Sequence, residues 1–318
     1  MVYTDHPDLE LLRPILDQMP LPGLDARIGL KPNLVVAKPS SSGATTDPAL
    51  VGTVIEYLRE RGYRNISIME GSWVGDSTRR AFKVCGYEEL SRKYQVPLVD
   101  LKQDTAVRVN VEGMELEVCQ RAIEADYLIN FPVLKAHCQT KVTCALKNLK
   151  GCIPDREKRR FHSMGLHKPI AALNKALRSD LTIVDGIVGD LTFEEGGTPV
   201  FMGRIIIGTD PVAVDAYAAD LLGYKLDDIP YIRLAESLGV GSADLNRLEV
   251  VEHNQAAKCK LGEVTARRIV EKYARVVEER EACSACYGSL MHALARYEEH
   301  YGRLPRNLKI AIGQGFQG

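Results

Sequence analysis

Residues 34–69, LVVAKPSSSGATTDPALVGTVIEYLRERGYRNISIM, contain the pattern that decides the fold. Leu34–Ala37 is a short apolar run typical of a buried strand. Asp47 and Pro48 then begin a helix, with Asp47 as the N-cap and the proline at the first helical position. Asn65–Met69 is a second apolar run and predicts the next strand. Strand, helix and strand in this order predict two parallel strands joined by a crossover helix.

The same alternation of strands and helices continues through most of the chain. Apolar runs predict further strands at 96–101, 127–131, 181–184, 204–208 and 247–252, and helical spacing lies between most of them. Residues 107–118 alternate around Glu112-Gly113, which predicts a small hairpin. Residues 186–203 are rich in glycine and predict a loop. We therefore expect an α/β protein with a mainly parallel sheet or sheets and helices on both faces.

The boundaries of this pattern predict the domain organisation. Residues 1–258 form an α/β core, either as one body or as two lobes, 1–130 and 131–258. Charged helical segments dominate residues 259–318, which predict a C-terminal helical region with a Cys-x-x-Cys pair. A last strand at 308–312 precedes three glycines, so we expect the protein to continue past Gly318.

Composition and charge argue against several classes of protein. The chain has 318 residues, 45% of them hydrophobic and 26% charged, and a formal net charge of −1. This charge argues against a nucleic-acid partner bound through a general positive field. No apolar run approaches the ~18 residues that a membrane span requires. The N-terminal segment lacks the layout of a signal peptide, so we expect a cytoplasmic protein whose eight cysteines are thiols, metal ligands or redox groups.

The segment Asn130–His167, NFPVLKAHCQTKVTCALKNLKGCIPDREKRRFHSMGLH, carries the strongest functional signal. It contains three of the seven histidines and eight Lys or Arg residues, opposed only by Asp155 and Glu157. It follows a predicted buried strand, and open α/β sheets bind ligands at the ends of such strands. A solvated basic loop and helix is the alternative. The gathering of titratable groups favours a cleft for an anionic small molecule.

Within this segment we expect Lys147, His137 and His162 to be catalytic. A lysine near histidines can act as a nucleophile or Schiff-base former while imidazoles move protons. The predicted substrate- or anion-binding residues are Lys135, Lys141, Thr143, Asn148, Lys150, Asn33, Ser72 and Asp185. The alternative is that Lys147 and Lys150 lie on a solvated helix face. Asp210 and Asp215, at the start of a predicted helix, either line the cleft or cap local elements.

The best metal signal is Cys283-x-x-Cys286, at the start of a predicted helix. Two thiolates at this spacing can share one ion, and a helix N-terminus lowers thiol pKa values. Zinc and iron–sulfur sites need about four ligands, so Cys259, Cys152, His292 or residues beyond Gly318 would complete the set. A pair of partly buried thiols is the alternative.

Six short motifs occur together between Lys31 and Ala216. They are Lys31-Pro32-Asn33, Glu70-Gly71, Lys135-x-His137, Thr143-x-x-x-Lys147-Asn148-x-x-Gly151, Asp185-Gly186 and Asp210-Pro211-Val212-Ala213-Val214-Asp215-Ala216. In this combination the chain resembles the domain-of-unknown-function family 362 (DUF362). Many members of that family resemble iron–sulfur proteins through an appended cysteine-rich region. The resemblance implies an iron–sulfur cluster and a redox partner protein, with Cys283 and Cys286 as the matching ligands.

The spacing of His137, Lys147, Pro154 and His162 is also similar to that of lactate racemase-like proteins. Their nickel-pincer cofactor is attached to a lysine. Here Cys144-Ala145-Leu146 stands where that family has a glycine-rich approach to the lysine. The similarity implies a Lys/His pocket between two α/β domains.

Three functions remain open from the sequence. The first is a metal- or iron–sulfur-binding protein whose basic cleft holds an anionic substrate or cofactor. The second is a cluster-free enzyme, similar to a racemase or isomerase, that acts on a small carboxylate with lysine and histidine. The third is a non-catalytic anion-binding or metallochaperone module.

Overall fold

The computed structural model describes residues 1–192, 194–196, 198–258, 272–273, 275–282 and 284–316. Thirteen strands lie in these ranges: β1 (Val2–Tyr3), β2 (Ile28–Pro32), β3 (Ile66–Glu70), β4 (Leu98–Asp100), β5 (Ala106–Val111), β6 (Met114–Cys119), β7 (Tyr127–Phe131), β8 (Lys135–His137), β9 (Lys141–Thr143), β10 (Leu181–Asp190), β11 (Pro199–Gly208), β12 (Val277–Glu279) and β13 (Ile310–Ile312).

The α-helices of the same ranges are named in chain order. They are α1 (Leu9–Leu16), α2 (Pro48–Glu60), α3 (Thr78–Val84), α4 (Tyr87–Tyr94), α5 (Gln120–Ile123), α6 (Ala145–Asn148), α7 (Asp155–Ser163), α8 (His167–Ala176), α9 (Pro211–Leu221), α10 (Pro230–Ser237) and α11 (Ser284–Tyr301).

A seven-stranded sheet in the order β1-β11-β10-β7-β2-β3-β4 forms the centre of the fold. The five strands from β10 to β4 are mutually parallel, whereas β11 pairs antiparallel with both β10 and β1. The prediction of an α/β fold with a mainly parallel sheet is confirmed. Strands from residues 1–130 and from residues 131–258 share this one sheet.

Helices cover both faces of the sheet. Neighbouring residues in a strand point to opposite faces, so they pack against different sets of helices. Ile129 of β7 packs in one core with α1, α2, α3 and α4, and its neighbour Leu128 packs in the other core with α8, α9 and α10. Both residues are buried. A strand that is apolar on both faces is typical of a parallel sheet covered on both sides.

The predicted strand at Leu34–Ala37 was wrong, because the strand of this region is β2 and it ends at Pro32. The first backbone N–H groups after β2 donate to side-chain oxygens and not to a neighbouring strand. Asn33 N–H donates to Thr46 Oγ1 at 2.8 Å, and Leu34 N–H donates to Glu70 Oε2 at 2.8 Å. The apolar run is therefore a loop at the carboxyl edge of the sheet.

The glycine-rich stretch 186–203 was predicted as a loop and lies mainly in β10 and β11, two strands of 10 residues each. A Cβ on Gly189 would lie 2.1 Å from the Leu134 carbonyl oxygen, so glycine lets another backbone approach the strand closely. The hairpin of β5 and β6 is confirmed.

The predicted strand at 247–252 was also wrong. This segment instead contacts the first residue of the chain through isolated hydrogen bonds. Met1 N donates to Val251 O, and His253 N–H donates to Met1 O, both at 2.8 Å. The prediction rested on the apolar character of residues 247–252. A strand also needs a neighbouring strand that pairs with its backbone N–H and C=O groups along its length.

The described part of the C-terminal region packs as a separate cluster against the core. β12 and β13 form a parallel pair, and residues such as Val277, Tyr287 and Met291 of β12 and α11 pack with Cys138. This cluster therefore faces the segment that carries the predicted site. The extent of the domains stays a prediction, since most of the charged segment after residue 259 lies outside the described residues.

Candidate functional site

A chain of asparagine side chains fixes the base of the site where β2 and β7 end. Asn33 Nδ2 donates to Asn148 Oδ1 at 2.9 Å, Asn148 Nδ2 donates to Asn130 Oδ1 at 2.7 Å, and Asn130 Nδ2 donates to Ala145 O at 2.8 Å. All three asparagines are buried. The network ties α6, which carries Lys147, to the carboxyl ends of two parallel strands. Asn33 and Asn148 were predicted as ligand-binding residues, and the structure gives them this positioning contact.

Asp215 holds the beginning of α6 in place. Its carboxylate accepts from Ala145 N–H at 2.6 Å and from Leu146 N–H at 3.3 Å, so it satisfies amides that an isolated helix start leaves unpaired. Burial raises the pKa of Asp215 to about 7, against the opposing effect of these amides. Asp210 caps α9 through Val212 N–H and Ala213 N–H, which is one of the two roles that the sequence left open.

The centre of the site is the carboxylate of Glu194, in the turn between β10 and β11. Lys147 Nζ donates to its Oε1 at 2.5 Å, and His137 Nε2 lies 2.9 Å from its Oε2. Burial opposes ionisation, but Lys147 and His137 hold the pKa of Glu194 well below its usual value. An ionised carboxylate thus sits between two of the three predicted catalytic residues.

The hydrogen bonds of His137 define its protonation. Its Nδ1 accepts from Gln139 N–H at 3.1 Å and from Thr140 N–H at 3.0 Å, so the proton of the neutral ring is on Nε2. Burial, followed by the Lys147 ammonium, lowers the pKa of His137 to about 4. His137 therefore places its protonated Nε2 within 2.9 Å of Glu194 Oε2, although the N–H direction falls short of hydrogen-bond geometry.

Lys150 and His162 form a second pair beside Lys147. Lys150 Nζ lies 3.4 Å from His162 Nε2, and His162 Nδ1 is buried with no hydrogen-bond partner among the described residues. Burial and then Lys147 lower the pKa of Lys150 to about 7, while burial and then Lys150 lower the pKa of His162 to about 3. The pair therefore combines a lysine that titrates near neutrality with an unprotonated imidazole.

Three further buried lysines already have partners inside the protein. Lys31 Nζ lies 3.0 Å from Glu70 Oε2. Lys158 Nζ donates to Gly71 O at 3.0 Å and to Ser72 O at 2.8 Å. Lys135 Nζ donates to Ala44 O at 2.6 Å and to Asn33 Oδ1 and Glu194 O, and burial, partly offset by Glu194, lowers its pKa to about 8. These lysines tie loops together around Lys147 and Lys150.

Two cavities meet at this cluster. The small cavity has a volume of about 80 Å³ and is lined by Lys147, Lys150, Thr143 and Glu194 among others. The large cavity has a volume of about 460 Å³ and extends from His137 to the C-terminal region. His162 lines both. The prediction that Lys147 and Lys150 lie on a solvated face is wrong, since they lie in the wall of the small cavity, where Lys147 is 5% exposed.

The other predicted residues are distributed around these cavities. Thr143 Oγ1 is buried in the small cavity with no partner among the described residues. Ser72 also lines it, but its hydroxyl contacts Asp76 O and Thr78 Oγ1. Lys141 lines the large cavity and pairs with Asp228 at 3.3 Å.

Asp185 lies outside the linings of both cavities. Its carboxylate accepts from Asp47 N–H at 2.8 Å and from Ile187 N–H at 3.2 Å, and burial raises its pKa to about 7. The contacts fix the start of α2 against β10, so its role in this structure is to position backbone.

Metal-binding groups do not converge in the described ranges. No group of three or more His, Cys, Asp or Glu side chains there could hold an ion. Cys286 is exposed at the start of α11, and Cys283 lies outside the described residues. Burial raises the pKa of Cys152 to about 12, which favours the thiol over the thiolate that ligates metals.

Sequence reasoning missed Glu194, the residue at the centre of the site. It lies in the glycine-rich stretch 186–203, ten residues from either predicted strand, and no local sequence signal marks it as a site residue. Lys158 is part of the basic segment and Glu70 is part of the Glu70-Gly71 motif, but neither residue was assigned to the site from the sequence.

The fold and the site together define a class: an α/β protein with a buried Lys/His cleft at the carboxyl edge of a mainly parallel sheet. The family described as Domain of unknown function (DUF362) matches residues 28–220, more than half of the chain. The chain belongs to this family, as its motifs predicted. The match contains every residue that lines the small cavity, whereas the C-terminal wall of the large cavity lies outside it.

Similar proteins extend this comparison. The thylakoid-associated protein sll1697 of Synechocystis sp. (strain ATCC 27184 / PCC 6803 / Kazusa) is 28% identical over 225 residues, which are 67% of this chain and 68% of that protein. The lactate racemase apoprotein from Thermoanaerobacterium thermosaccharolyticum has a TM-score of 0.47 and 10% identity, over 70% of this chain and 56% of its own. A crystal structure from Thermotoga maritima has a TM-score of 0.44 and 14% identity, over 72% and 58%. The chain thus spans less than two thirds of both solved chains.

Within the described ranges, none of the helices combines the length and apolar character that a bilayer crossing needs.

Proposed function

We propose that this protein binds a small carboxylate between Lys147 and His137. The observation that carries the proposal is the Glu194 carboxylate, which the two residues hold through different oxygens at 2.5 and 2.9 Å. The geometry suits a planar group with two acceptor atoms. A ligand carboxylate that takes this place would keep both contacts while Glu194 turns away.

Charge supports the same proposal. With Glu194 displaced, Lys147 and Lys150 remain in the lining of the small cavity, and His137 remains in the lining of the large one. Thr143 Oγ1 and His162 Nδ1 have no partner among the described residues, and buried polar atoms normally have one. A bound carboxylate and its water would supply partners for these atoms.

The test is titration calorimetry with acetate, and with inorganic phosphate for comparison. Loss of one charged hydrogen bond costs about 1.5–3 kcal/mol, so Lys147→Met should weaken acetate binding by about tenfold or more. Lys93→Met is the matched control, because Lys93 is an exposed cation of α4 paired with Glu56. Glu194→Gln should strengthen binding, since it removes the competing charge. Unchanged affinity in both cleft variants would refute the proposal.

A second candidate is an acid–base enzyme that acts on the bound carboxylate. It is favoured by the Lys150–His162 pair, whose lysine pKa of about 7 suits proton transfer at neutral pH. The measurable step is exchange of a carbon-bound proton next to the carboxylate for deuterium from the solvent. Exchange by the wild type at saturating substrate that Lys150→Met and His162→Phe both abolish supports the enzyme; absence of exchange across a panel of 2-hydroxy and 2-amino acids opposes it.

An iron–sulfur cluster or another metal stays a proposal that depends on Cys283, which lies outside the described residues. The described residues alone do not form a ligand set for it. Purification without oxygen followed by measurement of iron, nickel, zinc and acid-labile sulfide tests it. Iron with sulfide that is lost in Cys283→Ser would support a cluster and a redox partner protein; a metal-free wild type would refute both.

A cytoplasmic location stays a proposal. The relative sll1697 is named as thylakoid-associated. Cell fractionation of the full-length protein, with a salt wash of the membrane fraction, separates a cytoplasmic protein from one held at a membrane surface.

A further inference from the structure

The carboxylate position described above lies at the boundary between the two cavities. Glu194 contacts Lys147, which lines the small cavity, and His137, which lines the large one. A ligand carboxylate held by the same two residues must therefore extend its remaining atoms into one of the two spaces.

Volume decides between them. The small cavity, about 80 Å³, has room for little more than the head group and a water molecule, since a water occupies about 30 Å³ of liquid. The large cavity, about 460 Å³, falls within the range of about 300–1,000 Å³ of sites for small organic molecules. The body of the ligand therefore belongs in the large cavity.

The walls of the large cavity indicate what that body is. Tyr224 and Tyr287 line it as residues that are 9% and 7% exposed, and His167, whose ring stacks on Tyr231 with centroids 6.0 Å apart, lines it as well. Leu166 is a buried apolar residue of the same wall. Rigid rings of this kind favour a planar aromatic group.

Charge at the far side restricts the ligand further. Glu279 and Glu281 line the large cavity and are both exposed, so they are at its solvent side. A second carboxylate at the far end of a ligand would meet like charge there.

We infer that the ligand is an aromatic monocarboxylate, with its carboxylate between Lys147 and His137 and its ring in the large cavity beside Tyr224 and Tyr287. This rests on the proposed carboxylate binding and adds the identity of the ligand body. The C-terminal region then contributes directly to the site, because Tyr287 belongs to α11.

The experiment compares acetate, 3-phenylpropionate and 3-(4-carboxyphenyl)propionate by titration calorimetry on the full chain. Burial of the phenyl ring should make 3-phenylpropionate bind about tenfold to a hundredfold more tightly than acetate. Tyr287→Ala should remove most of this advantage and leave acetate binding unchanged. The dicarboxylate should bind more weakly than 3-phenylpropionate.

A matched pair of substitutions tests the place of the ring. Ser163 is exposed and lines the large cavity, whereas its neighbour Met164 is 40% exposed and lies outside both linings. Ser163→Trp should weaken 3-phenylpropionate binding at least fivefold without affecting acetate, and Met164→Trp should change neither.

The outcomes separate the two proposals. If neither acetate nor 3-phenylpropionate binds, carboxylate binding itself fails and the ligand assignment fails with it. If acetate binds but 3-phenylpropionate binds no more tightly, or if the dicarboxylate binds best, only the aromatic monocarboxylate assignment is overturned. Equal losses for both acids in Ser163→Trp would overturn it too.

Discussion

Replacing Glu194 by alanine should destabilise the protein, and acetate should restore much of the loss. The substitution removes both the 2.5 Å contact to Lys147 and the 2.9 Å contact to His137. The Lys147 side chain is 4% exposed and would be left as a buried, uncompensated charge. Breaking a buried ion pair in this way costs about 3–5 kcal/mol. At about 2 °C per kcal/mol, a low value suited to a long chain, Tm should fall by roughly 6–10 °C.

Acetate should bind in the space that the Glu194 side chain leaves. At a hundred times its Kd a ligand adds about 2.7 kcal/mol of stability, so the variant should regain roughly 5 °C in acetate but not in chloride of equal ionic strength. Differential scanning fluorimetry measures both effects. Glu195→Ala is the control, because Glu195 lines the same cavity, and burial with repulsion by Glu194 raises its pKa. Its surroundings therefore disfavour the ionised carboxylate, in contrast to those of Glu194. A Glu194→Ala protein as stable as the wild type, with no specific gain in acetate, would refute the role assigned to this carboxylate.

Three further results are expected. Burial lowers the pKa of Lys150 to about 7, and binding of an anion needs the ammonium form, so acetate affinity should fall as pH rises through about 7. Calorimetry should show this fall in the wild type and a flat pH profile for Lys150→Met. Asp215→Ala and Asp210→Ala should each cost about 1 kcal/mol in urea denaturation through loss of a cap, but only Asp215→Ala, which loosens α6, should weaken acetate binding. Gly189→Ala should cost about 1–3 kcal/mol, because its Cβ would lie 2.1 Å from a backbone oxygen, whereas Gly23→Ala, with nothing within 4 Å, should be neutral in the same assay.

The sequence predicted the fold class because parallel strands leave a strong local signal. Ile66–Glu70 and Tyr127–Phe131 are mostly apolar and mostly buried, as predicted for strands covered on both faces, and Asp47-Pro48 marks the start of a helix independently of tertiary contacts. The predicted strands 181–184 and 204–208 form only part of β10 and β11. The glycine-containing remainder of both strands was missed, because glycines such as Gly189 serve close backbone approach, which depends on the partner segment.

The candidate site could be predicted only in part for a related reason. Lys147, Lys150, His137 and His162 fall in one enriched segment, so composition alone brings them together. Glu194 reaches them from 47 residues further along the chain than Lys147, and nothing local distinguishes it from a surface acid. Asp185 resembles a site residue because it follows a buried run, yet its contacts are with backbone amides. Which acids face a cleft depends on register and turn geometry.

The buried cysteines around α6 give the cleft an intrinsic chemical reporter. Cys144 and Cys152 flank Lys147 and Lys150 in the chain and are fully buried, and burial raises the pKa of both thiols. Alkylating reagents attack thiolates, so both should react slowly in the closed protein and faster whenever this segment opens. Pulse alkylation followed by peptide mass spectrometry would therefore record the opening of the cleft residue by residue, without any label, and a bound ligand would appear as a slower rate at these two positions.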